Sequence, residues 1–193
     1  TNIQDSAKIY GPSFIGSNVS IAHRAEIHNS TINDFAFVGF NAKIINSRIG
    51  RGAYISHGAV IQGKNIEPDH YVPPGGRDAE DKVEKEKKNF KNEVLEVNTE
   101  LLMGYIKLFQ DKGAEAFSSV GLSPKTSWTK YHYCPDMGNA LMTGSARIIG
   151  GIIFKGKAEI GDRVSIRGDE GWPLVFGDGV SIGKGSVFHS LKG

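Results

Sequence analysis

Bulky aliphatic residues recur over residues 1–76 at Ile3, Ile9, Ile15, Ile21, Ile27, Ile32, Val38, Ile44, Ile49, Ile55, Ile61, Ile66 and Val72. Their steps are six, apart from three fives, and from Ile15 they run 6-6-5 three times over. Small residues stand four places after many of them, at Val19, Ala25, Thr31, Ala36, Ala42, Ala53 and Ala59, and glycine follows directly at Gly16, Gly39 and Gly50. A helix repeats every 3.6 residues and a half-buried strand every two, so neither accounts for a period of six. The period suits a solenoid with three short strands per coil, in which one bulky residue per hexad fills the core and turns occupy the corners. Coils of this kind stack at the strand spacing of about 4.8 Å. The frequent glycines and β-branched residues argue against a helix.

The pattern stops at Val72-Pro73-Pro74-Gly75-Gly76. Within 77–112 a charged run, Asp78 to Asn92, leads into Val94, Val97, Leu101, Leu102, Tyr105 and Leu108. Those spacings of three and four predict one helix over roughly 79–112, lying by its apolar face on the solenoid. The charge run, Lys85-Glu86-Lys87-Lys88 included, reads as solvated helix surface. Residues 113–144 carry Gly, Pro, Ser and scattered aromatics without a period and read as a linker or arm. Hexads return over 145–193 at Ile148, Phe154, Ile160, Ile166, Phe176, Ile182 and Phe188. The step from Ile166 to Phe176 is ten, which places an insertion at Asp169-Glu170-Gly171-Trp172-Pro173. A loop bulging from a regular solenoid is where function concentrates. The two blocks, helix and arm are expected to form one domain. The period runs to both ends without a capping segment, so the last coil is expected to stack on the first.

Composition narrows the partners. With 23 basic and 21 acidic residues the net charge is +2, which makes no electrostatic case for nucleic acid. One cysteine, Cys134, rules out an internal disulfide and marks no oxidising compartment. No apolar run is long enough to span a bilayer, so no membrane partner is expected. The chain starts at Thr1 without a signal-peptide pattern, and a cytoplasmic location is the expectation.

Three histidines carry candidate chemistry. His23 and His28 lie in Ile21-Ala22-His23-Arg24-Ala25-Glu26-Ile27-His28, and His189 in Ser186-Val187-Phe188-His189-Ser190. His28 and His189 each follow a core residue and share a phase; His23 has the next. Outward imidazoles on stacked coils can converge on one ion, and three neutral imidazoles with an open position make a catalytic zinc site. By spacing alone, three unrelated surface histidines are the favoured reading. His57 and His70 read as surface or corner residues, and His132 with Cys134 as loop packing on the helix. Trp172 reads as an anchor of the inserted loop.

Gly16 through His28 resembles the metal-binding repeat of γ-class carbonic anhydrases. Ser165-Ile166-Arg167-Gly168-Asp169-Glu170-Gly171-Trp172-Pro173 resembles the family's catalytic loop, and Gly183 to His189 the segment with its remaining histidine. Val97-Asn98 through Gly104-Tyr105 is similar to its closing helix, and Ser123-Pro124-Lys125-Thr126-Ser127-Trp128 to its amino-terminal arm. The family's order is arm, Arg-x-Asp-Glu coil, paired histidines, helix. Here the paired histidines come first and the helix runs on into the arm, so the resemblance implies a circular permutation.

The resemblance implies a left-handed parallel β-helix of hexapeptide repeats with one long packing α-helix, assembled as a homotrimer with metal at the subunit interfaces. It implies His28 and His189 from one chain and His23 from its neighbour as ligands of Zn2+, with Fe2+ or Co2+ as alternatives. Glu170 matches the carboxylate that handles protons, Arg167 and Asp169 match interface and supporting residues, and Asn98 a pocket residue. The implied activity is reversible hydration of carbon dioxide to bicarbonate, for which a metal ion makes hydroxide available near neutral pH. Gly183 stands where the family often has Gln, Lys184 where it has an acid, and an acidic shuttle loop after His189 is missing. A silent metal-binding or assembly protein is therefore the second reading. A hexapeptide acyltransferase, needing a general-base histidine and an acyl-donor groove, is the third.

Overall fold

The computed structural model describes residues 1–79, 81–129 and 133–190. His132 and the chain end at Gly193 lie outside them, so the paired His132–Cys134 reading and the meeting of the two ends find no test here. The chain divides into two compact units, Thr1–Thr99 and Glu100–Gly193.

The first unit is a three-sided stack of parallel coils, the left-handed parallel β-helix of hexapeptide repeats. On one face Ile21 pairs in register with Val38, Val38 with Ile55, and Ile55 with Val72. On the next, Ile27, Ile44 and Ile61 align, and on the third Ile32, Ile49 and Ile66. Each step is seventeen residues, the sum of the 6-6-5 pattern. From Ile21 to Val72 these hexad positions are at most 1% exposed, and Val19, Ala25, Ala36, Ala42, Ala53 and Ala59 fill the gaps between them. Burial of this continuous aliphatic column supplies the main favourable term for a coil that cannot bury its own face. In the outermost coil Ile3 and Ile9 remain 49% and 37% exposed, because no coil of that unit lies above them.

The corners repeat with the same period. Asn18, Asn29, Asn41, Asn46, Gly52, Gly58, Gly63 and Asp69 take left-handed φ between 46° and 70°, the conformation that glycine and asparagine adopt most cheaply. Phe35 occupies the same conformation at φ 59°, with the Arg51 guanidinium 4.7 Å from its ring centroid.

The second unit repeats the three-sided plan with a different coil length. Ile148 pairs with Ile166 and Ile166 with Phe188, while Phe154 pairs with Phe176 and Ile160 with Ile182. The first step is eighteen residues and the others twenty-two, so the register itself contains the four-residue insertion read from the sequence. The segment 113–144, expected as a linker, supplies the strands Val120–Gly121 and Asn139–Met142 to this stack. Strands this short carry too little periodicity to be read from sequence.

The helix α1 spans Lys85–Lys112. It starts later than residue 79 because Asp81–Lys82 instead pairs antiparallel with His70 and Tyr71. Its packed stripe differs from the apolar face expected. Lys91, Asn98, Leu101 and Leu108 are at most 5% exposed, whereas Leu102 is 46% exposed. Two polar residues thus sit on the buried side, each with a partner. Lys91 Nζ donates to the Gly52 carbonyl at 2.8 Å, and Asn98 Nδ2 donates to Ser20 Oγ at 2.9 Å. No described helix is long and apolar enough to cross a membrane.

Candidate metal and catalytic site

In the first unit, the strand Ser20–Ile21 runs into a corner that carries His23. The side chain is fully buried. Its Nδ1 lies 3.2 Å from the backbone carbonyl of Asp5 on the adjacent coil. A carbonyl can only accept, so Nδ1 carries the proton, and in the neutral ring Nε2 is the nitrogen with the lone pair. On its other side the ring stacks on Phe40, centroids 5.6 Å apart at 14°. His28 ends the strand Glu26–His28, half-buried, and stacks on Tyr10 at 4.5 Å and 25°. Asn98, the pocket residue implied by the resemblance, reaches Ser20, three residues before His23.

In the second unit, the strand Ser165–Gly168 delivers Arg167 beside His189 of the strand Val187–His189, in direct register. The inserted loop follows at once. Asp169 is fully buried, Glu170 is 7% exposed and Arg167 is 8% exposed. Arg167 Nε donates to Asp169 Oδ1 at 3.2 Å and Oδ2 at 3.1 Å, and its Nη2 also contacts Oδ2. Burial alone would push the Asp169 carboxyl up. The Arg167 charge and hydrogen bonds, with the Tyr105 hydroxyl, outweigh it and hold Asp169 below its ordinary value. Among the described residues Glu170 has no such hydrogen-bond partners. Burial first, then the Asp169 charge, pushes its carboxyl to about 8, with Arg167 opposing. Its Oε1 lies 3.4 Å from His189 Nε2.

Two residues of this cluster were not among the site residues expected from the sequence. The Tyr105 hydroxyl, on α1, donates to Asp169 Oδ2 at 2.7 Å and accepts from Arg167 Nη2 at 3.2 Å. Trp128 Nε1 donates to the Asp169 carbonyl at 3.2 Å. Trp128, and not Trp172, anchors the loop: Trp172 is 73% exposed, which corrects its reading as an anchor. The helix and the arm are fastened to each other as well. The Glu100 carboxylate accepts from the backbone and hydroxyl of Ser127, and a Cβ added at Gly104 would stand 2.8 Å from Pro124 Cβ. Gly183 is exposed, and Lys184 reaches Asp162 at 3.7 Å on the surface, an exposed pair of little energetic weight. His57 is an exposed corner residue and His70 contacts its own turn at Pro68.

The structure therefore brings together Arg167, Asp169, Glu170 and His189, while Asn98 meets Ser20, three residues before His23 in sequence, and His28 stacks on Tyr10. Among the described residues no three His, Cys, Asp or Glu side chains form a metal cage.

No protein-family model matches the chain. It is 28% identical over 128 residues to a carboxysome assembly protein CcmM of Nostoc sp., a match covering 55% of this chain and 23% of that protein. It is 41% identical over 63 residues to the carboxysome assembly protein CcmM of Synechococcus elongatus, covering 32% of this chain and 12% of that protein. It is 31% identical over 85 residues to the mitochondrial gamma carbonic anhydrase 2 of Arabidopsis thaliana, covering 39% of this chain and 29% of that protein. The chain thus spans under a third of the length of each of these relatives.

Proposed function

The chain belongs to the γ-class carbonic anhydrase family, and on that footing we propose that it catalyses the reversible, metal-dependent hydration of carbon dioxide to bicarbonate. The observation that carries this reading is the Glu170 carboxyl. It is buried, pushed to about 8, and 3.4 Å from the imidazole of His189. A carboxyl held this close to a ligand imidazole can take up and pass on a proton in each turnover.

We assign His28 and His189 of one chain and His23 of a neighbouring copy as the ligands of the metal. The donor chemistry fits. Imidazole suits zinc, ferrous iron and cobalt alike, and the Asp5 carbonyl selects the His23 tautomer whose Nε2 can bind a cation. When bound, such an ion supplies hydroxide at neutral pH, a property for which carbonic anhydrase is itself the standard case. Glu170 receives the proton that must leave each time water is consumed. Arg167 and Asp169 hold the loop that carries Glu170, and Asn98 supports the corner that carries His23. Ligands drawn from two copies require an oligomer, and the family resemblance makes it a closed trimer with three equivalent sites.

The order of segments supports a circularly permuted member of the family. The paired histidines and helix precede the arm and the Arg-x-Asp-Glu coil. Matches confined to 32–55% of the chain agree with this, because a collinear comparison spans one block of a permuted chain at a time.

The test is a carbon dioxide hydration assay on zinc- and cobalt-loaded protein, with metal content measured in parallel. Turnover that disappears on chelation and returns with metal supports the reading. Metal binding without turnover favours the second reading, a silent assembly protein. That reading draws on relatives bearing the name of carboxysome assembly proteins and on Gly183 and Lys184 in place of the expected polar residues.

A further inference from the structure

We propose that Phe40, held in place by His57, is the positioning residue that sets the plane of the His23 imidazole. The proposal rests on the reading of His23 as a metal ligand.

Residues 23, 40 and 57 occupy the same corner of three successive coils, seventeen residues apart. The hydrogen bond to the Asp5 carbonyl fixes one nitrogen of His23, at 3.2 Å. A hydrogen bond at one nitrogen does not by itself fix the rotation of the ring about that contact. The stacked face of Phe40, 5.6 Å away and 14° from parallel, removes the second freedom. The ring is thus bracketed by one coil through a polar contact and by the next through an aromatic face.

Phe40 is itself held by a side chain rather than by a strand ladder. Its backbone N–H donates to His57 Nδ1 at 3.0 Å, and the two rings lie 5.0 Å apart. The approach needs a glycine beside it. A Cβ at Gly39 would stand 2.7 Å from the His57 backbone nitrogen and 2.8 Å from His57 Nδ1. The neighbouring corner amides, Asn41 and Gly58, pair with backbone carbonyls. The Phe40 amide instead depends on an imidazole acceptor, so His57 controls the backbone from which the Phe40 ring projects. His57 is exposed and outside the hydrophobic column, and replacing it leaves that column intact.

The probe is Zn2+ alone, titrated into metal-free full-length protein against a chromogenic chelator, with assembly checked by sedimentation. Outer partners of metal-ligating histidines contribute roughly 10- to 100-fold in affinity. His57→Ala is expected to weaken zinc binding about 10-fold at the lower end of that range. His57→Asn, whose side-chain oxygen can accept in the place of Nδ1, is expected to restore it. Phe40→Leu keeps apolar volume but loses the stacked face, and is expected to weaken binding similarly. The double variant is expected to be no weaker than Phe40→Leu alone, because His57 acts through Phe40. The Co2+ absorption spectrum should shift in the same variants, a change that lost stability alone does not produce.

Parent-like zinc affinity in His57→Ala and Phe40→Leu, with affinity lost in His23→Ala, overturns the positioning role while leaving His23 a ligand. A loss in His57→Asn equal to that in His57→Ala overturns the acceptor role of His57. Parent-like affinity in His23→Ala overturns the ligand reading and this proposal with it. If Phe40→Leu does not fold, the two His57 variants decide the matter.

Discussion

Glu170 Oε1 lies 3.4 Å from His189 Nε2, and the two side chains are 8% and 14% exposed. The carboxyl reaches this position because the inserted loop leaves the strand one residue after Gly168, with Asp169 turned inward to Arg167. That arrangement couples protonation of Glu170 to folding in the metal-free protein. Its folded-state pKa, about 8, lies above the ordinary 4.5, so between these values the folded chain binds more protons than the unfolded one. The contribution of Glu170 to stability is therefore fullest below about pH 4.5 and is lost as pH rises from there through about 8. Each unit of displacement corresponds to about 1.4 kcal/mol, so the loss amounts to a few kcal/mol. Glu170→Gln should flatten this slope. Denaturant midpoints of metal-free parent and variant at pH 6 and pH 9 check it, and parallel slopes would refute the assignment.

In catalysis, Glu170→Ala should lower turnover by about 10²-fold or more, the usual contribution of an acid–base group, with metal content unchanged. The defect should be largest at low buffer concentration, where no external base replaces the carboxyl. Stopped-flow hydration rates across a buffer series measure this. Equal rates for parent and variant at low buffer would remove Glu170 from the mechanism.

Asp169 and Arg167 form a buried ion pair, fully buried and 10% exposed respectively at their side chains. Removing one partner strands the other, which typically costs about 3–5 kcal/mol. Arg167→Ala should therefore destabilise the Glu100–Gly193 unit by that order. Asp169→Asn, which keeps the shape and can still meet Trp128 and Tyr105, should cost less. Chemical denaturation of both variants checks the ranking.

Tyr105→Phe removes one hydroxyl that both donates to Asp169 and accepts from Arg167. Burial pushes this phenol up, so it remains a donor across the working pH range. A hydrogen bond to a charged group contributes about 1.5–3 kcal/mol. We expect a stability loss of that order together with reduced turnover at unchanged metal content. Unchanged melting of the variant would show that Arg167 alone suffices to hold Asp169.

Metal and assembly should be linked, because an ion held by two copies stabilises the assembled state alone. Chelation should shift sedimentation toward smaller species. His23→Ala subunits should lose metal although their own His28 and His189 are intact, and mixing them with His28→Ala subunits should rebuild a fraction of sites. A metal-loaded monomer would defeat the interface model.

The hexad spacing determined the coil by itself. A seventeen-residue 6-6-5 repeat admits one register for Ile21, Val38, Ile55 and Val72, since a slip of one residue would turn the whole column outward. The ten-residue step after Ile166 likewise located the inserted loop, because an insertion must leave a regular solenoid where the period breaks. Residue types marked His23, His28, His189 and Glu170, but not what surrounds them. Lys91 and Asn98 sit on the buried stripe of α1 because Gly52 and Ser20 offer partners, and a reading of apolar residues alone puts Leu102 there instead. Tyr105 and Trp128 meet Asp169 across 64 and 41 residues of chain. Trp172 lies within that loop in sequence yet is exposed to solvent. A one-dimensional repeat specifies which residues share a column, because that follows from counting. Which side chain closes on which across the chain depends on the path of the helix and arm, and tertiary packing alone decides it.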